Sequence, residues 1–244
     1  MSFEEPAPPQ RPLLVVQHED QCSAGWVGEW LTDASIALDL RRPYAGEPLP
    51  DDLTDHAGLL VLGGHMGAND DADYPWLTGT KALVRTAAAV GIPTLGICLG
   101  HQLVAAALGG EVVVNPAGQQ FGLHDIGWLA AAAGDPILGD CGSRGVHLNH
   151  DIVAVSPPGT LELARAATGE LQAARFAPTV WGVQWHPEVG VEAYTPWAEH
   201  DRAEATARGI DVDQELADIA AAEPELRRSW RPLATDFALL VLES

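Results

Sequence analysis

Ile92-Pro93-Thr94-Leu95-Gly96-Ile97-Cys98-Leu99-Gly100-His101-Gln102 is the stretch that decides how this chain folds. A short apolar run leads into one cysteine, with a glycine two residues before it and another two residues after it. A helical pattern follows over residues 103–108. Strand, sharp turn and helix in that order make a nucleophile elbow, with the reactive atom at the tip of the turn. Backbones pass close on both sides of such a turn, so the residues two before and two after must be small. Gly96 and Gly100 meet that demand. The turn holds its central residue at strained dihedrals that cost about 1–3 kcal/mol, and such strain concentrates at functional sites. The hydrolase version of the elbow has serine at its centre; here the centre is Cys98.

Outward from the elbow, strands alternate with helices. Upstream, residues 13–16, 36–40, 58–62 and 93–97 read as strands, and 27–33 and 77–90 as helices, the second ended by Gly91. This alternation implies a parallel sheet with right-handed crossovers. After the elbow helix the pattern changes. Residues 111–114, 126–130, 152–155 and 173–176 are short strand candidates separated by Gly, Pro and Asn, and they read as an antiparallel extension. A last strong strand covers 180–185, and from 191 on the chain turns helical and charged. The expected fold class is α/β: an open, mostly parallel central sheet flanked by helices, with a small antiparallel extension and a C-terminal helical segment. The expected organisation is a flexible tail over 1–12, one domain over 13–190, and a helical extension over 191–244 packed on the same domain.

The 244 residues are 47% hydrophobic, enough for a sizeable core, and carry a formal charge of −21. An acidic surface argues against a nucleic-acid backbone or an anionic membrane as partner. No stretch approaches the roughly 20 apolar residues of a membrane span. Residues 1–12 lack the basic start and apolar core of a secretory leader. Cys22, Cys98 and Cys141 are an odd number without metal-ligand spacing. They read as a reducing, cytoplasmic setting with no disulfide framework, and neither a metal nor a cofactor is expected.

The 180–185 strand leads into Trp185-His186-Pro187-Glu188. Alternation along a strand would turn positions 186 and 188 to one face. Glu188 is then placed to orient the imidazole and stabilise the imidazolium, and His186 to take the thiol proton of Cys98. That is a Cys–His–Glu version of nucleophile, base and orienter. A helix N-terminus and a neighbouring histidine both favour thiolate. The oxyanion formed on attack needs two donors already in place. One is the backbone N–H of Leu99; the other is assigned to Gly64, in the loop Gly63-Gly64-His65-Met66-Gly67, whose glycines let the backbone approach a substrate.

The elbow, the Gly63-Gly64 loop and His186-Pro187-Glu188, in this order and at these spacings, resemble the class I, triad-type glutamine amidotransferase domain over about residues 13–190. The resemblance implies a flavodoxin-like sheet and an enzyme that hydrolyses the side-chain amide of L-glutamine. In that family the cysteine attacks the carboxamide, ammonia leaves, and water cleaves the γ-glutamyl thioester. Carried over by position, Cys98 is the nucleophile, His186 the general acid/base, Glu188 its orienter, and Gly64 and Leu99 the oxyanion donors. Gln102 would contact the substrate. Asn149, Asp151 and Ile152, in Asn149-His150-Asp151-Ile152, would hold its α-amino and α-carboxylate groups, although this segment departs from the His-Gly-Asp or Ser-His-Gly pattern of several relatives.

Most members of that family feed ammonia to a synthetase domain. No P-loop or ATP-pyrophosphatase glycine motif is visible here, and residues 191–244 are expected to be too few for a synthetase domain. The chain therefore resembles a stand-alone member, similar to the glutaminase part of GMP synthase, with a synthetase as implied partner. The Met66-Gly67-Ala68-Asn69-Asp70-Asp71 loop followed by Tyr74-Pro75-Trp76 resembles these stand-alone forms. Relatives that cleave γ-glutamyl peptides keep a peptidase reading open, and a non-enzymatic binding or regulatory module on the same scaffold is the alternative from another class. Oligomeric state is not legible. Cys22, Cys141, His101, Trp181 and Trp185 read as structural. His18 and His65 lie near strand ends, where open α/β sheets bind ligands. Asp70, Asp71 and Asp73 lack EF-hand spacing and read as a solvated acidic loop.

Overall fold

Four consecutive apolar residues, Leu13–Val16, form strand β1, and all four are buried. A strand buried on both faces needs a layer on each side. Alternation sorts its side chains: Leu13 and Val15 enter one core, Leu14 and Val16 the other. The computed structural model, which describes residues 11–244, builds outward from this strand. Of the tail expected over 1–12, residues 1–10 lie outside the described residues.

In chain order there follow α1 (Gly25–Asp33), β2 (Leu38–Arg41), β3 (Gly58–Val61), α2 (Trp76–Val90), β4 (Thr94–Ile97) and α3 (Leu99–Ala107). Next come β5 (Glu111–Val114), β6 (Gln120–Asp125), β7 (Arg144–Asn149), β8 (Asp151–Val155), β9 (Leu161–Arg165), β10 (Leu171–Ala177) and β11 (Val180–Val183). Helices α4 (Val191–His200), α5 (Arg202–Ala207), α6 (Val212–Ser229) and α7 (Arg231–Leu242) close the chain. The main sheet has the order β2-β1-β3-β4-β11-β10-β9. Its first five strands are parallel, and β10 and β9 add an antiparallel edge. Two small antiparallel sheets, β5 with β8 and β6 with β7, stand apart from it. Helices α2 and α3 cover one face through Leu77, Val84, Leu103 and Val104. The other face meets α1, α4, α6 and α7 through Trp30, Tyr194, Ile219 and Phe237. The expected fold class is the one observed. No helix among the described residues is long and apolar enough to cross a membrane.

Several local readings are corrected. Residues 126–130 form no strand; Trp128 makes a single bridge to Ala164, and the strand of this region is β6. Gly127 breaks the extension, with φ at +73° and no room for a Cβ, which would lie 1.9 Å from the Arg165 carbonyl oxygen. Strands β7 and β9 escaped the sequence reading because their residues, Arg-Gly-Val-His-Leu-Asn and Leu-Glu-Leu-Ala-Arg, mix charge into the apolar pattern. Helix α3 starts at Leu99, directly after Cys98, four residues earlier than its apolar periodicity suggests.

Candidate active site

The C-terminal ends of β1, β3, β4 and β11 converge at one edge of the sheet, where open α/β sheets bind ligands. Between β4 and α3 sits Cys98 at φ 53° and ψ −108°, a positive φ that a side chain adopts only under strain. Its N–H donates to the Val183 carbonyl at 2.9 Å, tying the elbow to β11. The flanking glycines are required by approach, not by φ. A Cβ on Gly96 would lie 2.4 Å from the Gly100 carbonyl oxygen, and one on Gly100 would lie 2.0 Å from that of Val61.

His186 follows β11, held by its N–H to the Val146 carbonyl at 2.8 Å. Its Nδ1 lies 2.7 Å from Glu188 Oε1, and both side chains are buried. The expectation that strand alternation pairs them is corrected. Strand β11 ends at Val183, and the two side chains meet across a turn. A Cβ on Gly63 would stand 3.2 Å from His186 Cε1 and 3.7 Å from Cys98 Cβ. The imidazole and the cysteine therefore meet over a bare backbone position. Burial opposes charge on His186, but the Glu188 carboxylate, the Cys98 sulfur and hydrogen bonds to both hold its pKa well above 6.5. Trp197 of α4 packs on the imidazole, ring centroids 4.8 Å apart.

Neither the Gly64 N–H nor the Leu99 N–H meets an acceptor among the described residues. Leu99 opens α3, where helical N–H groups have no partner within the helix. The two residues adjoin: a Cβ on Gly64 would lie 3.0 Å from Leu99 Cδ2. Gln102 donates through Nε2 to the Asp151 carbonyl at 2.9 Å and to Gln184 Oε1 at 3.2 Å. Both its protons are then used, and only its Oε1 is left to accept. Asn149 donates to the Asp151 carbonyl at 3.0 Å and to Gln120 Oε1 at 3.2 Å, while its own Oδ1 is buried without a partner. Burial, reinforced by the charge of Asp70, raises the Asp151 carboxyl pKa. Ile152 pairs with Val113 in the β5–β8 sheet and does not line the cavity.

That cavity measures about 820 Å³ and is walled by Cys98, His186, Gly64, Gln102, Asn149 and Asp151 among others. Further contributors were not read from the sequence. Gln184, one residue past β11, points its amide at the Cys98 sulfur; its separation of two from His186 was the only available signal. Trp197, His200 and Asp201 reach the wall from the C-terminal helices, and no motif announces them. Cys22, read as structural, also lines the cavity. Its thiol donates to Glu19 Oε1 at 3.0 Å, and burial with the Glu19 charge pushes its pKa far up, which keeps it protonated.

The remaining candidates separate cleanly. His101 is buried against Phe176 under the sheet, and burial lowers its pKa to about 4. His18 accepts from Trp76 Nε1 at 3.1 Å, and burial lowers it to about 3. His65 is exposed at the cavity wall, with Nδ1 2.5 Å from Glu19 Oε2. Cys141 donates to the Ile137 carbonyl at 3.4 Å, away from the site. Trp181 donates to Asp135, and Trp185 packs on Trp230. Asp70 accepts from the Gly67 N–H and Asp71 pairs with Lys81 at 2.5 Å. Among the described residues no three His, Cys, Asp or Glu side chains converge as a metal set.

Known proteins resemble this chain both in sequence and in fold. The model of the glutamine amidotransferase class-I family matches residues 39–197. The glutamine amidotransferase-like protein YfeJ of Salmonella typhimurium is 29% identical over 212 residues, 84% of this chain and 88% of that one. A GMP synthase (glutamine-hydrolysing) from Aeropyrum pernix is 33% identical over 185 residues, 73% of this chain and 33% of its own length. A glutamine amidotransferase from Methylobacillus flagellatus superposes with a TM-score of 0.84 at 26% identity, covering 95% of both chains. One from Thermotoga maritima, at 24% identity, shares the fold with a TM-score of 0.81 over 93% of this chain and 97% of its own.

Proposed function

Since the chain belongs to the class-I glutamine amidotransferase family, we propose that it hydrolyses the side-chain amide of L-glutamine, or of a γ-glutamyl compound, through a thioester on Cys98. The observation that carries this reading is the meeting of Cys98 with a buried His186–Glu188 pair over the bare Gly63, on the wall of a cavity. Cys98 Sγ, its proton passed to His186, attacks the amide carbon. The N–H groups of Gly64 and Leu99 receive the developing oxyanion. His186 returns the proton to the leaving nitrogen, which departs as ammonia. A water molecule, deprotonated by the now neutral His186, opens the thioester, and glutamate leaves with the thiol restored. Glu188 keeps the imidazole oriented and its charged form stabilised throughout. Asn149 Oδ1 and the Asp151 carboxylate are acceptors suited to the α-ammonium group.

The cavity volume favours a second version of the same chemistry. At about 820 Å³ it stands towards the upper end of pockets that enclose drug-sized ligands, with room for a residue beyond the scissile nitrogen, as in a γ-glutamyl peptide. Incubation with glutamine or with γ-glutamyl dipeptides, followed by assays of ammonia, amino acid and glutamate, separates the two. Turnover of glutamine only after a synthetase is added would assign the ammonia to that partner. Cys98→Ala is expected to lower the rate at least about 10³-fold. Stoichiometric labelling of Cys98 by a glutamine-analogue diazoketone is also expected. A folded protein that neither turns over these substrates nor takes the label would overturn the reading in favour of a binding module.

A further inference from the structure

We propose that Gln184 is a positioning residue for this reaction: its side-chain N–H donates to the Cys98 sulfur and holds the anionic nucleophile in place on the elbow. The proposal rests on the reading of Cys98 as nucleophile. Gln184 is wholly buried, at 0% exposure. Its Nε2 lies 3.7 Å from Cys98 Sγ, and its Oε1 accepts from Gln102 Nε2 at 3.2 Å.

A backbone carbonyl fixes the direction of this chain of amides. The Asp151 oxygen can only accept, and Gln102 Nε2 donates to it at 2.9 Å. The second proton on Gln102 Nε2 therefore faces Gln184, whose amide must answer with its oxygen. The NH2 end of Gln184 is left with the sulfur and cannot flip without setting donor against donor. A thiol is a weak acceptor, whereas a charged acceptor makes a bond about twice as strong as a neutral one. An N–H delivered in this way selects the thiolate. The Leu148 carbonyl, 4.0 Å from the sulfur on another side, accepts only from the thiol. Gln184 and Leu148 thus favour opposite protonation states, and the amide also limits the directions the anion can take.

The charged and titratable groups that face the sulfur are His186, backed by Glu188, and Cys22, backed by Glu19. Asp70 and Asp151 stand at the cavity wall. Replacing Gln184 by an apolar side chain leaves all six in place, so a change in thiol ionisation would report the lost N–H.

The test is the pH dependence of Cys98 alkylation by iodoacetamide, mapped by mass spectrometry to separate it from Cys22 and Cys141, in the wild-type chain and in Gln184→Met and Gln184→Leu. The midpoint is expected to move to higher pH in both variants, with alkylation at neutral pH slowed roughly tenfold. For glutamine, kcat should fall. A purely structural role would lower stability and leave the midpoint where it was, so an unchanged midpoint in a folded variant overturns the proposal. Should neither variant fold, the Gln184 side-chain amide can be followed by nitrogen-15 NMR in the wild-type chain. Its resonances should shift with the midpoint of Cys98 alkylation and stop shifting in Cys98→Ala; an amide indifferent to pH also overturns it. Alkylation and NMR need no turnover, so a chain inactive on glutamine would sink the function proposed above and still reveal whether Gln184 holds the sulfur.

Discussion

His186 carries charge in a place that disfavours it. Burial alone would leave the imidazole neutral, and the Glu188 carboxylate at 2.7 Å, with the Cys98 sulfur, reverses that preference. Glu188→Gln keeps the shape of the side chain and removes its charge. The expected result is a fall in kcat of roughly 10²–10⁴-fold, measured by ammonia release. The alkaline limb of the rate profile, where the imidazolium loses its proton, should also move to lower pH. An unchanged limb would mean that Glu188 acts by shape alone. For stability the sign is that of a raised pKa: the pair contributes below about pH 6.5 and the contribution is lost as pH climbs through the folded-state value.

At the scale of elements, the elbow depends on how closely three backbones pass. Strand β3, the turn at Cys98 and the start of α3 approach until no side-chain carbon fits between them. Gly100→Ala would set a Cβ 2.0 Å from the Val61 carbonyl oxygen, backbone against backbone, with nothing flexible to yield. The expected cost is about 3 kcal/mol or more, read from urea unfolding. Gly91→Ala supplies the contrast. Gly91 ends α2 at φ +79° with nothing within 4 Å of a new Cβ, so the backbone conformation alone should cost about 1 kcal/mol. Equal losses at the two positions would refute the crowding account. Helix α4 shows the same dependence on distant packing, since it brings Trp197 onto the imidazole from beyond the last recognisable motif.

The whole molecule stores acid sensitivity in its interior. His18, His101 and His147 are buried neutral, with pKa values lowered by burial to about 3, about 4 and about 4. A base whose folded pKa is depressed takes up its proton more readily when the chain unfolds. Stability is therefore intact above about pH 6.5 and falls as pH drops from there towards the folded-state values, by roughly 1.4 kcal/mol per pH unit for each histidine. His186 does not offset this, because below pH 6.5 it is protonated both folded and unfolded. Urea midpoints between pH 7 and 4.5 should fall steeply, and His101→Gln should flatten the slope. A flat profile in the unmodified chain would contradict the burial of these rings.

Apolar runs, the helix–strand alternation, the paired glycines about Cys98 and the His-Pro-Glu motif were legible in the chain by itself. Each depends on neighbours a few positions away, and from them came the α/β class, the parallel sheet, the elbow, and Cys98, His186, Glu188, Gly64 and Leu99 as candidates. The hydrophobic pattern failed where burial is partial or charge is paired, as in β7 and β9, and where Gly127 halts an apolar stretch that otherwise looks extended. Only the tertiary structure decided that His186 and Glu188 meet across a turn, that Ile152 does not line the cavity, and that Cys22, Gln184 and Trp197 join the site. Those outcomes are contacts between positions remote in sequence; Gln184 and Cys98 are 86 apart. No local preference encodes such a meeting, because it exists only after two layers of helices have packed against the sheet and excluded the water between them.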